Sequence, residues 1–299
     1  MQPAWFQAAI AAPHDEGHVE CEGARIHYLH WGTRGNPGLV LVHGGAAHAH
    51  WWSFLAPLLT SHYDVVALDM SGHGDSDRRD AYPRETWAKE VVAVVDAMKF
   101  PGPPVLIGHS LGGLVSIIVA STFGDRLAGA IIVDSPVNKP SPESEASRYT
   151  FFKPLKIYPT EEAALARFKL IPAQPCDNAF IVDYIARKSL HAVPGGFSWK
   201  FDPTIFIRVA SGMDRMSDHL AHVKCRVALL RGELSVVVPR ETGEYMYDVL
   251  NRSAPLVEIP QAHHHLILDQ PLAFIAATRA LLADWEHSVP RRRAQGVMA

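Results

Sequence analysis

Short β-branched runs alternate with helix-length apolar segments along most of this chain, and that alternation restricts the fold more than any other feature. The runs "LVLVHG" (39–44), "DVVALDM" (64–70), "PVLIGHS" (104–110), "GAIIVDS" (129–135), "RVALLRG" (226–232) and "LVEIP" (256–260) are apolar almost throughout, as strands buried on both faces must be. Between them, "HWWSFLAPLLTSH", "RETWAKEVVAVVDAMKF", "LGGLVSIIVASTFGD", "RETGEYMYDVL" and "PLAFIAATRALLADWEHS" carry apolar residues at helical spacing. "HVEC" and "RIHYLHWG" read as a hairpin ahead of the first run. Parallel neighbours need helical crossovers, so the pattern predicts an α/β fold: a mostly parallel eight-stranded sheet with helices on both faces.

The alternation breaks after Asp134. Residues 137–222 are rich in proline and aromatics, with two helical stretches, "TEEAALARFKL" and "NAFIVDYIARKSL", and no convincing buried strand. This divides the chain into a core of residues 1–136 and 223–299 and an insertion of residues 137–222. The first dozen residues read as a short helix packed on the body or over a pocket mouth. The closing "RRRAQGVMA" reads as a solvated tail.

Composition limits the partners. A formal net charge of -3 gives no electrostatic reason to expect nucleic acid or an anionic membrane. No run approaches the roughly 20 apolar residues of a membrane span, and no cationic segment precedes the first apolar stretch. Cys21, Cys176 and Cys225 lie far apart without C-x-x-C spacing, which indicates neither a disulfide framework nor a cysteine metal site. A cytoplasmic protein acting on a small molecule without a cofactor is expected; oligomeric state is left open.

Within "VLIGHSLGG", Gly108-His109-Ser110-Leu111-Gly112 fits G-x-S-x-G at the junction of a predicted strand and a predicted helix. A serine there either caps the helix or is lifted out as a nucleophile. The first reading leaves the flanking glycines unexplained. A nucleophilic serine needs a histidine base oriented by a carboxylate, and "PQAHHHLILDQP" (260–271) supplies histidines after the last strand.

Taken in order, "HGG", "DMSGHGDS", "GHSLGG", "VDSP", "RGE" and "HHHLILDQP" resemble the α/β-hydrolase superfamily, in particular its cap-bearing, esterase-like members, from about residue 18 to 288. The resemblance implies an α/β-hydrolase fold with residues 137–222 as an inserted helical cap. It points to His264, seven positions before Pro271, as the base, and to the Leu111 and Gly45 N–H groups as an oxyanion hole. His109, His48 and Trp51 are expected on the substrate side of the pocket. The cap aromatics Tyr149, Phe151, Phe152, Tyr158, Phe168, Tyr184, Phe197, Trp199 and Phe201 would help to wall it.

The acid is ambiguous. Where the family usually carries an aspartate, this chain has Ser235. Asp134, closing the sixth strand, is the first choice, because some relatives draw their acid from that place; Glu233 is the alternative. A histidine metal site built from His43, His48, His50 and the triplet competes weakly, since no H-E-x-x-H occurs. The implied chemistry is acyl transfer through Ser110, most simply hydrolysis of a small to medium apolar or aromatic carboxylic ester. A thioester, lactone, amide or carbon–carbon bond, or ligand binding without turnover on the same scaffold, remain as alternatives.

Overall fold

The computed structural model describes residues 2–139, 155–205 and 216–288. Its main sheet has eight strands: β1 (Asp15–Cys21), β2 (Ala24–Trp31), β3 (Gly38–Val42), β4 (Asp64–Leu68), β5 (Val105–His109), β6 (Gly129–Val133), β9 (Arg226–Gly232) and β10 (Leu256–Ile259). They lie in the order β1-β2-β4-β3-β5-β6-β9-β10. Only the β1–β2 and β2–β4 pairs are antiparallel, so the sheet is mostly parallel, as expected.

Period-two alternation divides the core between the two faces. Leu39, Leu41, Val65, Ile107, Ile131 and Leu230 face one cluster, with Phe6, Trp52, Phe54 and Phe274. Val40, Val42, Val66, Leu106, Ile132 and Leu229 face the other, with Trp87, Val91, Val115 and Ile118. Helices α2 (Arg84–Met98) and α3 (Leu111–Thr122) therefore cover the second face, while α1 (Ala4–Ile10) and α9 (Pro271–His287) cover the first. Among the described residues, no helix is long and apolar enough to cross a membrane.

Two local expectations differ from what is found. "HWWSFLAPLLTSH" is not one helix but two 3₁₀ turns, Ala49–Trp52 and Ala56–Leu58; Pro57 has no N–H to continue the ladder. The segment between β6 and β9 holds the expected helices, α4 (Glu161–Leu165) and α5 (Ala179–Lys188), but also a hairpin of β7 (Leu190–Val193) and β8 (Gly196–Trp199). Pro194 and Gly195 form its two-residue turn, with Gly195 at φ +89°, a position that proline followed by glycine suits. Its side chains are mostly half-buried, so it lacks the apolar signature of the core strands.

The insertion is tied to the sheet's carboxyl edge. Gly74 N–H donates to Lys200 O at 2.8 Å and Asp202 N–H to Gly72 O at 2.7 Å. Helix α1 reinforces the joint: Phe6 packs against Phe54 of the body and against Phe180 and Tyr184 of α5. Tyr149, Phe151, Phe152 and the "RRRAQGVMA" tail lie outside the described residues.

Candidate active site

Strand β5 runs into α3 through Ser110, held at φ +54°, ψ -119°. Such a backbone costs about 1–3 kcal/mol for a non-glycine residue and persists only where its surroundings impose it. Two glycines make the turn possible. A methyl group at Gly108 would lie 2.4 Å from Gly112 O, and one at Gly112 would lie 2.4 Å from the carbonyl oxygens of Val42 and His43. Strand, turn and helix thus pack backbone to backbone, leaving Ser110 half-buried at the carboxyl edge of the sheet.

His264 reaches this serine from the loop after β10. Its Nε2 lies 3.0 Å from Ser110 Oγ, and its Nδ1 lies 2.7 Å from Asp134 Oδ2. A carboxylate only accepts, so the Nδ1 proton belongs to the Asp134 bond and the Nε2 lone pair faces the serine hydroxyl. Asp134 itself sits at φ +45°, just past the end of β6, where the neighbouring strand β9 ends.

That adjacency furnishes the rest of its shell. Gly232 N–H donates to Oδ1 at 2.9 Å and Ser235 Oγ–H donates to Oδ2 at 2.6 Å. The Ser235 oxygen already accepts from Val237 N–H at 3.2 Å and Val238 N–H at 3.1 Å, so its one proton is left for the carboxylate. Glu233, the alternative acid, does not meet His264. Its Oε2 accepts Gln261 N–H at 2.7 Å in an exposed loop.

The other two histidines of the triplet are used differently. His263 stands beside Asp269. His265 is buried next to Pro172, and burial, with His264 nearby, pushes its pKa down to about 3. A ring nitrogen from each of His109, His264 and His265 lies within 4.8 Å of the others. Both nitrogens of His264 are engaged, however, so an ion there would compete with the Asp134–His264–Ser110 relay.

On the facing loop, His43 does work that sequence reasoning did not assign to it. Its Nδ1–H donates to Gly44 O at 2.7 Å, while its Nε2 accepts Met70 N–H at 3.0 Å. In a trans peptide the C=O and the following N–H point in opposite directions, so anchoring Gly44 O turns the Gly45 N–H the other way. A methyl group at Gly44 would lie 3.2 Å from Ser110 Cβ. Among the described residues, neither the Gly45 nor the Leu111 N–H has a hydrogen-bond acceptor.

A cavity of about 170 Å³ begins at Gly45, with His48 and Trp51 on the body side and Phe168, Trp199 and Phe201 on the insertion side. His48 and Trp51, the candidates for the substrate side, thus border this cavity. His48 is held neutral by burial, with Nε2–H donating to Ser189 Oγ at 2.8 Å. His109 does not line this cavity. It is buried beneath His264, with Nε2–H donating to His264 O at 3.0 Å, because as the last residue of β5 it points into the protein rather than out of the elbow. Tyr184 packs on Phe6 instead of on the cavity. A larger open cleft of about 750 Å³, near Cys225 and Trp285, lies at the opposite edge of the sheet, away from the serine.

The family model described as "Alpha/beta hydrolase family" matches residues 39–278. A 2-hydroxy-6-oxo-6-(2'-aminophenyl)hexa-2,4-dienoic acid hydrolase of Metapseudomonas resinovorans is 26% identical over 277 residues, covering 90% of this chain and 91% of its own. A pimeloyl-[acyl-carrier protein] methyl ester esterase of Aliivibrio fischeri (strain MJ11) is 26% identical over 263 residues, covering 85% of this chain and 97% of its own. The crystal structure of an E-2-(acetamidomethylene)succinate hydrolase superposes with a TM-score of 0.78 at 20% identity, over 91% of this chain and 100% of that one.

Proposed function

This chain belongs to the alpha/beta hydrolase family, and from that premise we propose that it is a serine hydrolase cleaving a carboxylic ester through Ser110, His264 and Asp134. The observation that carries the reading is the continuous hydrogen-bonded line from Asp134 through His264 to Ser110, at 2.7 and 3.0 Å. His264 takes the serine proton as Oγ attacks the ester carbon, and Asp134 stabilises the imidazolium that forms. The Gly45 and Leu111 N–H groups receive the developing oxyanion, a contribution of about 3 kcal/mol for each donor. His264 then passes the proton to the departing alcohol, and water releases the acyl group by the same steps in reverse.

Segment 137–222 acts as a cap in this reading, since Phe168, Trp199 and Phe201 give the cavity its apolar outer wall. The esterase relative supports an ester. The dienoic acid hydrolase, which matches over nine-tenths of its length, favours a carbon–carbon bond as the second reading. Both share one test of the nucleophile. A fluorophosphonate probe should label wild-type protein at Ser110 and leave Ser110→Ala unlabelled, with hydrolysis of phenyl esters lost in that variant. Ester turnover retained by folded Ser110→Ala would refute the mechanism.

A further inference from the structure

Among the described residues, three cations border the cavity at Gly45, namely Arg167, Lys169 and Lys200, and no carboxylate belongs to its wall. Lys200 is already neutralised, its Nζ lying 2.7 and 2.6 Å from the two carboxylate oxygens of Asp75. Arg167 and Lys169 are exposed, and neither pairs with a carboxylate among the described residues. Trp51 lines the same wall with its ring, its indole N–H being fully buried and without an acceptor among the described residues. His48 brings no charge, because burial keeps its ring neutral. Among the described residues, the charged side chains of this wall that remain unpaired are thus two cations, Arg167 and Lys169.

Such a wall complements a ligand that only accepts hydrogen bonds and carries negative charge. Phe168, Leu170 and Ile171 supply the apolar part of the lining, which suits a short hydrocarbon chain leading to the charge. A volume of 170 Å³ holds roughly six water-sized atoms at about 30 Å³ each.

Resting on the serine hydrolase reading, we propose that the acyl group taken into this cavity ends in a carboxylate, so that the substrate is a half-ester of a short dicarboxylic acid. This departs from the apolar or aromatic ester expected from the sequence. The reaction balances as ordinary hydrolysis. Ser110 Oγ bonds to the acyl carbon, the ester C–O bond breaks, and the alcohol leaves with the serine proton. Water then cleaves the acyl-serine bond, releasing the dicarboxylate and restoring Ser110.

Two isosteric substrates test the assignment: monophenyl glutarate and phenyl 5-methylhexanoate, whose acyl chains differ in a terminal carboxylate against an isopropyl group. The quantity read is the ratio of their kcat/KM values, in which general effects of a substitution cancel. At low ionic strength the wild type should favour the glutarate ester, chiefly through KM. Arg167→Gln/Lys169→Gln should reduce that preference about three- to twentyfold, the range expected for two exposed charge contacts. Added salt should shrink it as well. Glutarate itself should bind the wild type more tightly than the double variant by calorimetry, a readout independent of turnover. A wild type that hydrolyses phenyl 5-methylhexanoate through Ser110, shows no preference for the glutarate ester and binds no glutarate would overturn the substrate class while leaving the catalytic reading intact. Charge-dependent glutarate binding without hydrolysis of either ester would support the anion site and sink the catalytic reading.

Discussion

Replacing Asp134 with asparagine keeps the shape of the side chain and changes only what its atoms can accept. The carboxylate takes three hydrogen bonds, from Gly232 N–H on Oδ1 and from Ser235 and His264 on Oδ2. If the amide oxygen faces Gly232, the amide nitrogen meets the His264 Nδ1–H, donor against donor. The imidazole relieves this by moving its proton to Nε2, which puts a proton where the lone pair for Ser110 should be. The equivalent tautomer fault in a serine protease costs about 10⁴ in turnover. A loss of two to four decades here corresponds to about 2.7–5.4 kcal/mol of transition-state stabilisation at 1.36 kcal/mol per decade.

The folded state loses much less. The displaced Ser235 proton and the weakened contacts amount to about one ordinary hydrogen bond, on the order of 1 kcal/mol. Turnover of a phenyl ester per folded molecule should therefore fall at least a hundredfold in Asp134→Asn while the thermal midpoint moves by only a few degrees. Glu233→Gln, altering a group that contacts Gln261 N–H, should stay close to wild type. A lower melting temperature with unchanged turnover in Asp134→Asn would make the residue a turn element. A large catalytic loss confined to Glu233→Gln would transfer the role to that residue.

Because Ser235 Oγ lies 2.6 Å from the same Asp134 oxygen that meets His264, Asp134→Asn/Ser235→Asp should regain at least about tenfold of the lost turnover; a folded double variant no better than the single one contradicts this geometry. His43→Ala frees Gly44 O and should lower kcat roughly 10- to 100-fold, part of the value of an oxyanion donor, with KM little changed; a loss expressed in KM alone would show that His43 does not act through the Gly45 N–H. His50, His73 and His265 are each pushed down to about 3 by burial. Their stabilisation is complete above pH 6.5 and is lost as pH falls, because the unfolded chain then binds protons that the folded chain refuses, about 1.4 kcal/mol per pH unit for each histidine. His27, raised because Asp69 outweighs its burial, and Glu90, raised by burial, oppose this, but they are outnumbered, since burial lowers His43, His48 and His109 as well. Thermal midpoints should thus drop between pH 7 and pH 5; a midpoint that rises on acidification would contradict the burial argument.

The chain's local patterns determined a good deal by themselves. Continuous apolar runs of five to seven residues report burial on both faces, so the mostly parallel sheet was readable without coordinates. The tight strand-to-helix turn at Ser110 was readable because its flanking glycines are a local steric requirement. The family resemblance singled out His264 as a candidate by its place seven positions before Pro271, the residue that opens α9. The carboxylate that meets His264 was not readable in that way. Asp134 and Ser235 are 101 residues apart, and only the side-by-side placement of β6 and β9 brings Ser235 to the Asp134 oxygen that meets His264, leaving Glu233 on the loop with Gln261. The hairpin in the insertion escaped for a related reason: half-buried side chains show no strong period. The charge at the cavity was hidden too, since Arg167 and Lys169 come from a segment whose signs nearly balance. Which cations find a carboxylate, and which remain unpaired among the described residues at the cavity that Gly45 lines, is a matter of distances between segments that only the tertiary packing brings together.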